Sequence, residues 1–155
     1  MNSPAPLAWL VERCDLDCVL VAGRYTLLDD SAAASLFPLC KRRGVAVLAG
    51  GVFNSGILAS PGDNATYDYA PAPPGLLARA RRMREACAIY GIPLPAAALQ
   101  FTLHHPAVTA AVVGARSTEE ITADTSYLST PSPTSSGPSW KHSYMIMESR
   151  GCVRW

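Results

Sequence analysis

The sequence predicts a parallel α/β fold, and three observations support it. Apolar runs at 17–22, 45–49 and 108–113 are short and continuous, as buried strands are. Helical periodicity follows each of them, which is the alternation of a parallel sheet covered by helices. The helices also have defined starts and stops, with proline or serine at the openings and glycine at the ends.

Along the chain, Leu7, Leu10, Val11 and Cys14 recur at helical steps, with Ser3 and Pro4 placed as cap and first residue. Asp17 to Ala22 is expected to be a strand covered on both faces. Ser31 to Arg43 reads as a helix ended by Gly44, which Pro38 should kink or shorten at its start. Val45 to Ala49 is a second strand, and Gly50 to Pro73 is expected to be one long loop. Pro74 to Gly91 brackets the clearest helix, with Leu76, Ala80, Met83, Cys87 and Tyr90 on its inner face. Arg79, Arg82 and Glu85 lie on other, solvated faces, and Arg81 is spaced to meet Glu85 at i,i+4, worth only ~0.2–0.5 kcal/mol. Pro95 starts a further helix to about His104, and Val108 to Val113 is a third strand.

Residues 1–125 form the expected packed region, and 126–155 a disordered or poorly packed tail. Ser129 to Ser139 contains only Ser, Thr, Pro and Gly, which cannot bury enough apolar area to offset ordering entropy.

Of the 155 residues, 49% are hydrophobic and 16% charged, so the main body should bury a core. Thirteen basic against twelve acidic residues leave a net charge of +1, which argues against a nucleic-acid partner. The longest nearly unbroken apolar run, Gly44 to Phe53, is too short to span a bilayer. No charged segment with a hydrophobic stretch opens the chain, so a secretory signal is not expected and a cytoplasmic location is. Five cysteines at irregular spacing fit thiols of a reducing compartment, with Cys14 and Cys18 expected to be buried. No metal-ligating set is expected.

Two segments could perform chemistry. In Val112 to Glu120 a strand ends at Gly114 and a helix begins at Ser117, with Glu120 three residues on as a capping box. Free N–H groups at such a start favour an anion, and Arg116 adds a fork of donors beside it. The same pattern also describes an ordinary capped helix with a surface arginine. In Gly50 to Leu58, glycines directly after a strand permit close backbone approach to a ligand, while Asn54 and Ser55 offer hydrogen bonds. A flexible turn would read the same way. It is neither a Walker loop nor a dinucleotide fingerprint, since both spacings are absent.

Gly23 to Asp29, Ala49 to Leu58, Ala65 to Pro71 and Val113 to Ser117 together resemble the aldo/keto reductases, most closely the branch containing L-fucose, D-threo-aldose and pyridoxal dehydrogenases. The resemblance covers about residues 1–122. It implies a partial TIM (β/α)8 barrel, about strands six to eight with their helices, and NAD or NADP as cofactor. Arg116 and Ser117, with Glu120 on the same turn, then match the adenosine end of the cofactor. Val52, Phe53, Ser55 and Gly56 match the loop over the pyrophosphate. Tyr25 matches an aromatic position that stacks on the nicotinamide or lines the pocket.

The chain departs from the family where Ala123-Asp124 replaces a common Glu-Asn and Thr122 a common arginine. The family's catalytic Asp, Tyr, Lys and His lie on its first four strands, which have no counterpart here, so no catalytic residue is expected. His104 and His105, beside Pro106, are expected to pack or meet solvent rather than substitute. Tyr67 and Tyr69 have no lysine partner nearby in sequence.

The expected function is that of an NAD(P)-dependent oxidoreductase acting on a small sugar or aldehyde, present as a fragment inactive alone. Two alternatives stand beside it: a non-catalytic interaction or complementing subunit, or a truncated gene product. A hydrolase using Ser55 or Ser117 with His104 is disfavoured, since no Gly-x-Ser-x-Gly elbow is present.

Overall fold

The computed structural model describes residues 1–130, and the expectation of disorder over 131–155 lies outside them. The elements in order are α1 (Pro4–Arg13), β1 (Cys18–Ala22), α2 (Ser31–Arg43), β2 (Ala46–Gly50), β3 (Thr66–Tyr67), β4 (Ala70–Pro71), α3 (Pro74–Ile89), α4 (Leu94–His104), β5 (Val108–Val112) and α5 (Thr118–Ser129). They fall into two compact units: residues 1–54 with 98–114, and, among the described residues, 55–97 with 115–130.

The first unit is built on a three-stranded parallel sheet in the order β1-β2-β5, which bears out the parallel α/β reading. Val19 lies opposite Val47 and Val21 opposite Ala49, and all four are buried. The helices α1 and α2 pack against each other, burying Leu7 and Val11 from one and Leu36, Phe37 and Cys40 from the other. The α2 helix ends as expected, with Gly44 left-handed at φ 70°.

The structure differs here from the expectation of a displaced start for α2 and of a fully covered β1. The α2 helix keeps its start and runs through Pro38, because the position is exposed and the helix is held by its buried face rather than by every backbone bond. The strand β1 is not covered on both faces. Val19 and Val21 are buried while Cys18 and Leu20, which alternate with them, are exposed, since the helices clothe one side of the sheet only.

In the second unit the segment expected to be a plain loop contains a hairpin, β3 with β4. Its two connecting residues, Asp68 and Tyr69, both have positive φ (49° and 65°), the twist that a two-residue hairpin turn requires. The α3 helix buries Ala80, Met83, Ala86 and Cys87, but Tyr90 is exposed because it lies beyond the helix end. Arg81 does not pair with Glu85. Its guanidinium reaches the Pro61 carbonyl at 3.1 Å and the Asp63 carboxylate, so it anchors the preceding loop. The α5 helix continues through Ser129, past the expected boundary at residue 126, with Thr125 and Ser126 hydroxyls bonding back to its own carbonyls. Cys40 and Cys87 are buried and in no disulfide, whereas Cys18 is exposed and Cys14 half-buried.

Candidate functional site

The residues expected to meet a nucleotide fall in both units. In the first, the turn after β1 is built around Thr26, whose hydroxyl accepts from the Leu28 and Asp29 N–H groups at 3.2 and 3.1 Å. Arg24 pairs with Asp29 at 3.3 Å and braces the same turn. Tyr25 is thereby held in an aromatic cluster and is 7% exposed. Its ring stacks on Phe101 at 4.9 Å and meets Phe37 at 5.0 Å and the edge of His105 at 4.9 Å. Burial first, and then the Asp30 carboxylate, push the Tyr25 hydroxyl up to about 12, so it stays protonated at neutral pH.

His105 is a packing residue. Its Nδ1 accepts from the Ala107 N–H at 3.1 Å, so that nitrogen is unprotonated, and burial holds its pKa below the usual histidine value. His104 Nδ1 lies 2.8 Å from the Gln100 carbonyl of its own helix.

After β2 the chain turns sharply. Gly51 is left-handed at φ 61°, and a Cβ there would stand 3.0 Å from the Gly23 nitrogen, so the two loops touch backbone to backbone. Val52 is buried and can offer a ligand only its backbone, while Phe53 is half-buried. Asn54 is 2% exposed and left-handed at φ 45°, a conformation that asparagine tolerates better than most residues. The spacing of Asn54 before Ser55-Gly56 hinted at a turn, but nothing local marked it as buried.

In the second unit Ser55 is pinned by the hairpin. Its carbonyl accepts from the Thr66 hydroxyl at 2.6 Å, and its own hydroxyl accepts from the Tyr69 N–H at 3.1 Å. Sequence reasoning missed both partners, because the hairpin that delivers them was not recognised. Gly56 has φ 102° with nothing within 4 Å of a would-be Cβ, while its carbonyl accepts from the Ala59 and Ser60 N–H groups.

Ser117 caps α5, its hydroxyl accepting from the Glu120 N–H at 3.3 Å. The return bond of the capping box is displaced by one residue: the Glu120 carboxylate accepts from the Arg116 N–H at 2.7 Å. It also takes two bonds from the Arg116 side chain, from Nη2 at 2.9 Å and Nε at 3.3 Å. Hydrogen bonding to Arg116 holds the Glu120 carboxyl below its usual range, and bonding to Ser117 does the same for Glu119. The helix start therefore already holds two carboxylates, and Arg116 is engaged by one of them. Neither serine is set up as a nucleophile, since each hydroxyl accepts from a backbone N–H and His104 faces its own helix.

Among the described residues no group of acidic, histidine and cysteine side chains could hold a metal ion, and no single helix is long and apolar enough to cross a membrane.

The model of the aldo/keto reductase family matches residues 3–143, further than the resemblance read from the motifs. Pyridoxal 4-dehydrogenase of Microbacterium luteolum is 49% identical over 112 residues, which is 72% of this chain and 33% of that protein. D-threo-aldose 1-dehydrogenase of a Pseudomonas species is 40% identical over 119 residues, 76% of this chain and 36% of that protein. The holo form of an aldo-keto reductase from Bacillus halodurans superposes with a TM-score of 0.67 at 20% identity, over 97% of this chain and 47% of that one. The chain spans about a third of the length of the curated relatives it matches. From its βα units, its motifs in order and the match over most of its length, the chain belongs to the aldo/keto reductase family.

Proposed function

We propose that this chain supplies the cofactor-holding part of an NAD(P)-dependent oxidoreductase, as strands six to eight of a barrel, and performs no turnover by itself. The observation that carries the reading is the start of α5. Ser117 is in extended conformation as its cap, and the Thr118 amide stands in its first turn, where helix-start N–H groups meet an anionic ligand.

The residues present fit a dinucleotide in two respects. Gly56 has a positive φ and no neighbour within 4 Å of a would-be Cβ, which leaves room for a pyrophosphate beside it, and Ser55 next to it is fixed by two bonds. Arg116, Ser117 and Glu120 offer donors and a carboxylate to the adenosine end. Val52 contributes backbone only, and Phe53 is half-buried beside it. The burial of Tyr25 supports the lining role over stacking. When bound, the nicotinamide would give or take the hydride. This chain's own part is to bind, orient and exclude water. The substrate class, a small sugar or aldehyde, follows from what the relatives' names say they act on.

Isothermal titration of the 155-residue chain with NAD, NADP and ADP-ribose tests the reading. Each side chain ordered on binding costs ~0.5–1.5 kcal/mol, so an isolated part should bind at roughly millimolar, about −4 kcal/mol. Gly56→Val and Ser117→Ala should each abolish the heat. Binding unaffected by either change would overturn it, and so would measurable dehydrogenase turnover by the chain alone.

A further inference from the structure

His105 follows α4 and opens the turn into β5, and two bonds hold that turn. Its carbonyl accepts from the Val108 N–H at 2.9 Å, and its Nδ1 accepts from the Ala107 N–H at 3.1 Å. The second bond exists only while Nδ1 carries a lone pair, since a protonated imidazole is a donor at both nitrogens. β5 then joins the sheet through a register shift. Val108 lies opposite Val47 but Ala110 opposite Leu48, so Thr109 is an extra residue on the strand.

The same imidazole is built into the cluster around Tyr25. It meets the Tyr25 ring at 4.9 Å and the Phe37 ring at 4.8 Å, both edge-on. The Tyr25 carbonyl also accepts from the Thr102 hydroxyl at 3.4 Å, so this residue is fastened twice to the segment that leads into β5. His105 is half-buried, and a proton reaches it without unfolding of the chain.

The groups that face it supply no counter-charge. From α2 comes Phe37, which does not titrate. From the loop after β1 comes Tyr25, whose hydroxyl is pushed up to about 12 by burial and then by the Asp30 carboxylate, and stays neutral. On the side of α4, Phe101 stacks on Tyr25, and His104 has its Nδ1 2.8 Å from the Gln100 carbonyl. Burial lowers the His105 pKa, so the neutral ring is the form that the folded cluster holds.

We propose that His105 is a proton-operated latch on the start of β5: the neutral ring holds the Ala107 N–H and the Tyr25 ring in place, and the protonated ring releases both. With a proton on Nδ1, two N–H groups confront each other and the Ala107 donor loses its acceptor. The imidazolium is a charge among rings, and it regains hydration by turning outward. The bulge at Thr109 lets the turn yield while Ala110, Ala111 and Val112 keep their partners on β2. The released form binds the proton more readily, so acid populates it, in the window below the ordinary histidine value of ~6.5. The acid response is thereby confined to one turn and one ring, and none of it depends on a bound nucleotide.

NMR of the full chain at pH 7.5 and pH 5 tests this, with amide exchange expressed as protection against the intrinsic rate at each pH. The reference is the Ala46 N–H, which donates to the Asp17 carbonyl at 2.9 Å on the side of β2 away from β5. In acid the Ala107 N–H should lose about tenfold more protection than Ala46, as a local opening requires. The Tyr25 ring signals should shift with the His105 midpoint. His105→Asn puts a side-chain oxygen near the place of Nδ1 and cannot titrate, so its Ala107 should stay protected at both pH values. His104→Asn should leave the acid response as it is. If His105→Asn fails to fold, the unsubstituted chain decides. Equal losses at Ala107 and Ala46 overturn the proposal, because they report opening of the whole unit. So does a His105 titration that leaves the Tyr25 signals unmoved.

Discussion

The Asn54 side chain donates from Nδ2 to the Gly23 carbonyl oxygen at 3.2 Å, tying the turn after β2 to the turn after β1. The Gly23 N–H meanwhile donates to the Gly50 carbonyl at 2.9 Å. Asn54 Oδ1 is buried and has no partner among the described residues, so the side chain is kept for its donor.

Asn54→Ala should therefore destabilise the chain by about 1–3 kcal/mol, the range for stranding a buried carbonyl, with relief of the orphaned Oδ1 as the only offset. Asn54→Asp should do at least as much harm, since it loses the donor and sets a buried carboxylate against a carbonyl. Urea midpoints of the three proteins check this, and an unchanged midpoint for Asn54→Ala would show that the tie is idle.

Pro38 lies inside α2 and is exposed. Pro38→Ala restores an N–H toward the Ala34 carbonyl and removes the ring from it. The expected gain is about 1–3 kcal/mol, reduced by ~0.4–1 kcal/mol because proline also restricts the unfolded chain. Thermal melting measures it. A loss of stability would mean that the proline ring packs against something that an alanine cannot replace.

His105 makes stability fall in acid. Its folded pKa is depressed by burial, so the unfolded state binds the proton more readily. The contribution is complete above the unfolded value of ~6.5 and is lost as pH falls through the folded value. Denaturation at pH 7.5 and pH 5 should show a drop that His105→Phe reduces. An unaltered pH slope in that variant would count against it.

Arg116 and Glu120 bear on the choice of cofactor. With both acidic residues of the first turn held below their usual range, they are ionised at neutral pH and oppose a 2′-phosphate. NAD should bind at least as well as NADP, and Glu120→Gln should shift the ratio toward NADP several-fold by freeing the guanidinium. Competitive titration decides it. A ratio unmoved by the change would separate Arg116 from phosphate recognition.

Much of the secondary structure was legible in the residues themselves. Apolar continuity marked β1, β2 and β5, and Pro74 and Gly91 framed α3, because short strands and helix ends are encoded within a few neighbours. Ser117 was recognised as a cap for the same reason. The hairpin was missed because its turn, Asp68-Tyr69, lacks the glycine that usually announces two positive φ values.

Partner choice belonged to the tertiary structure. Arg81 has Glu85 one turn away yet bonds to Asp63 and Pro61, because the loop before the hairpin comes within reach only after folding. Tyr25 became a core ring because Phe37, Phe101 and His105 converge on it from residues 12 to 80 positions away. The sequence by itself determined that 17–22 is apolar and extended. Which of its side chains are buried was decided by where α1 and α2 lie, since a strand shows two faces with equal chemistry and only packing covers one of them.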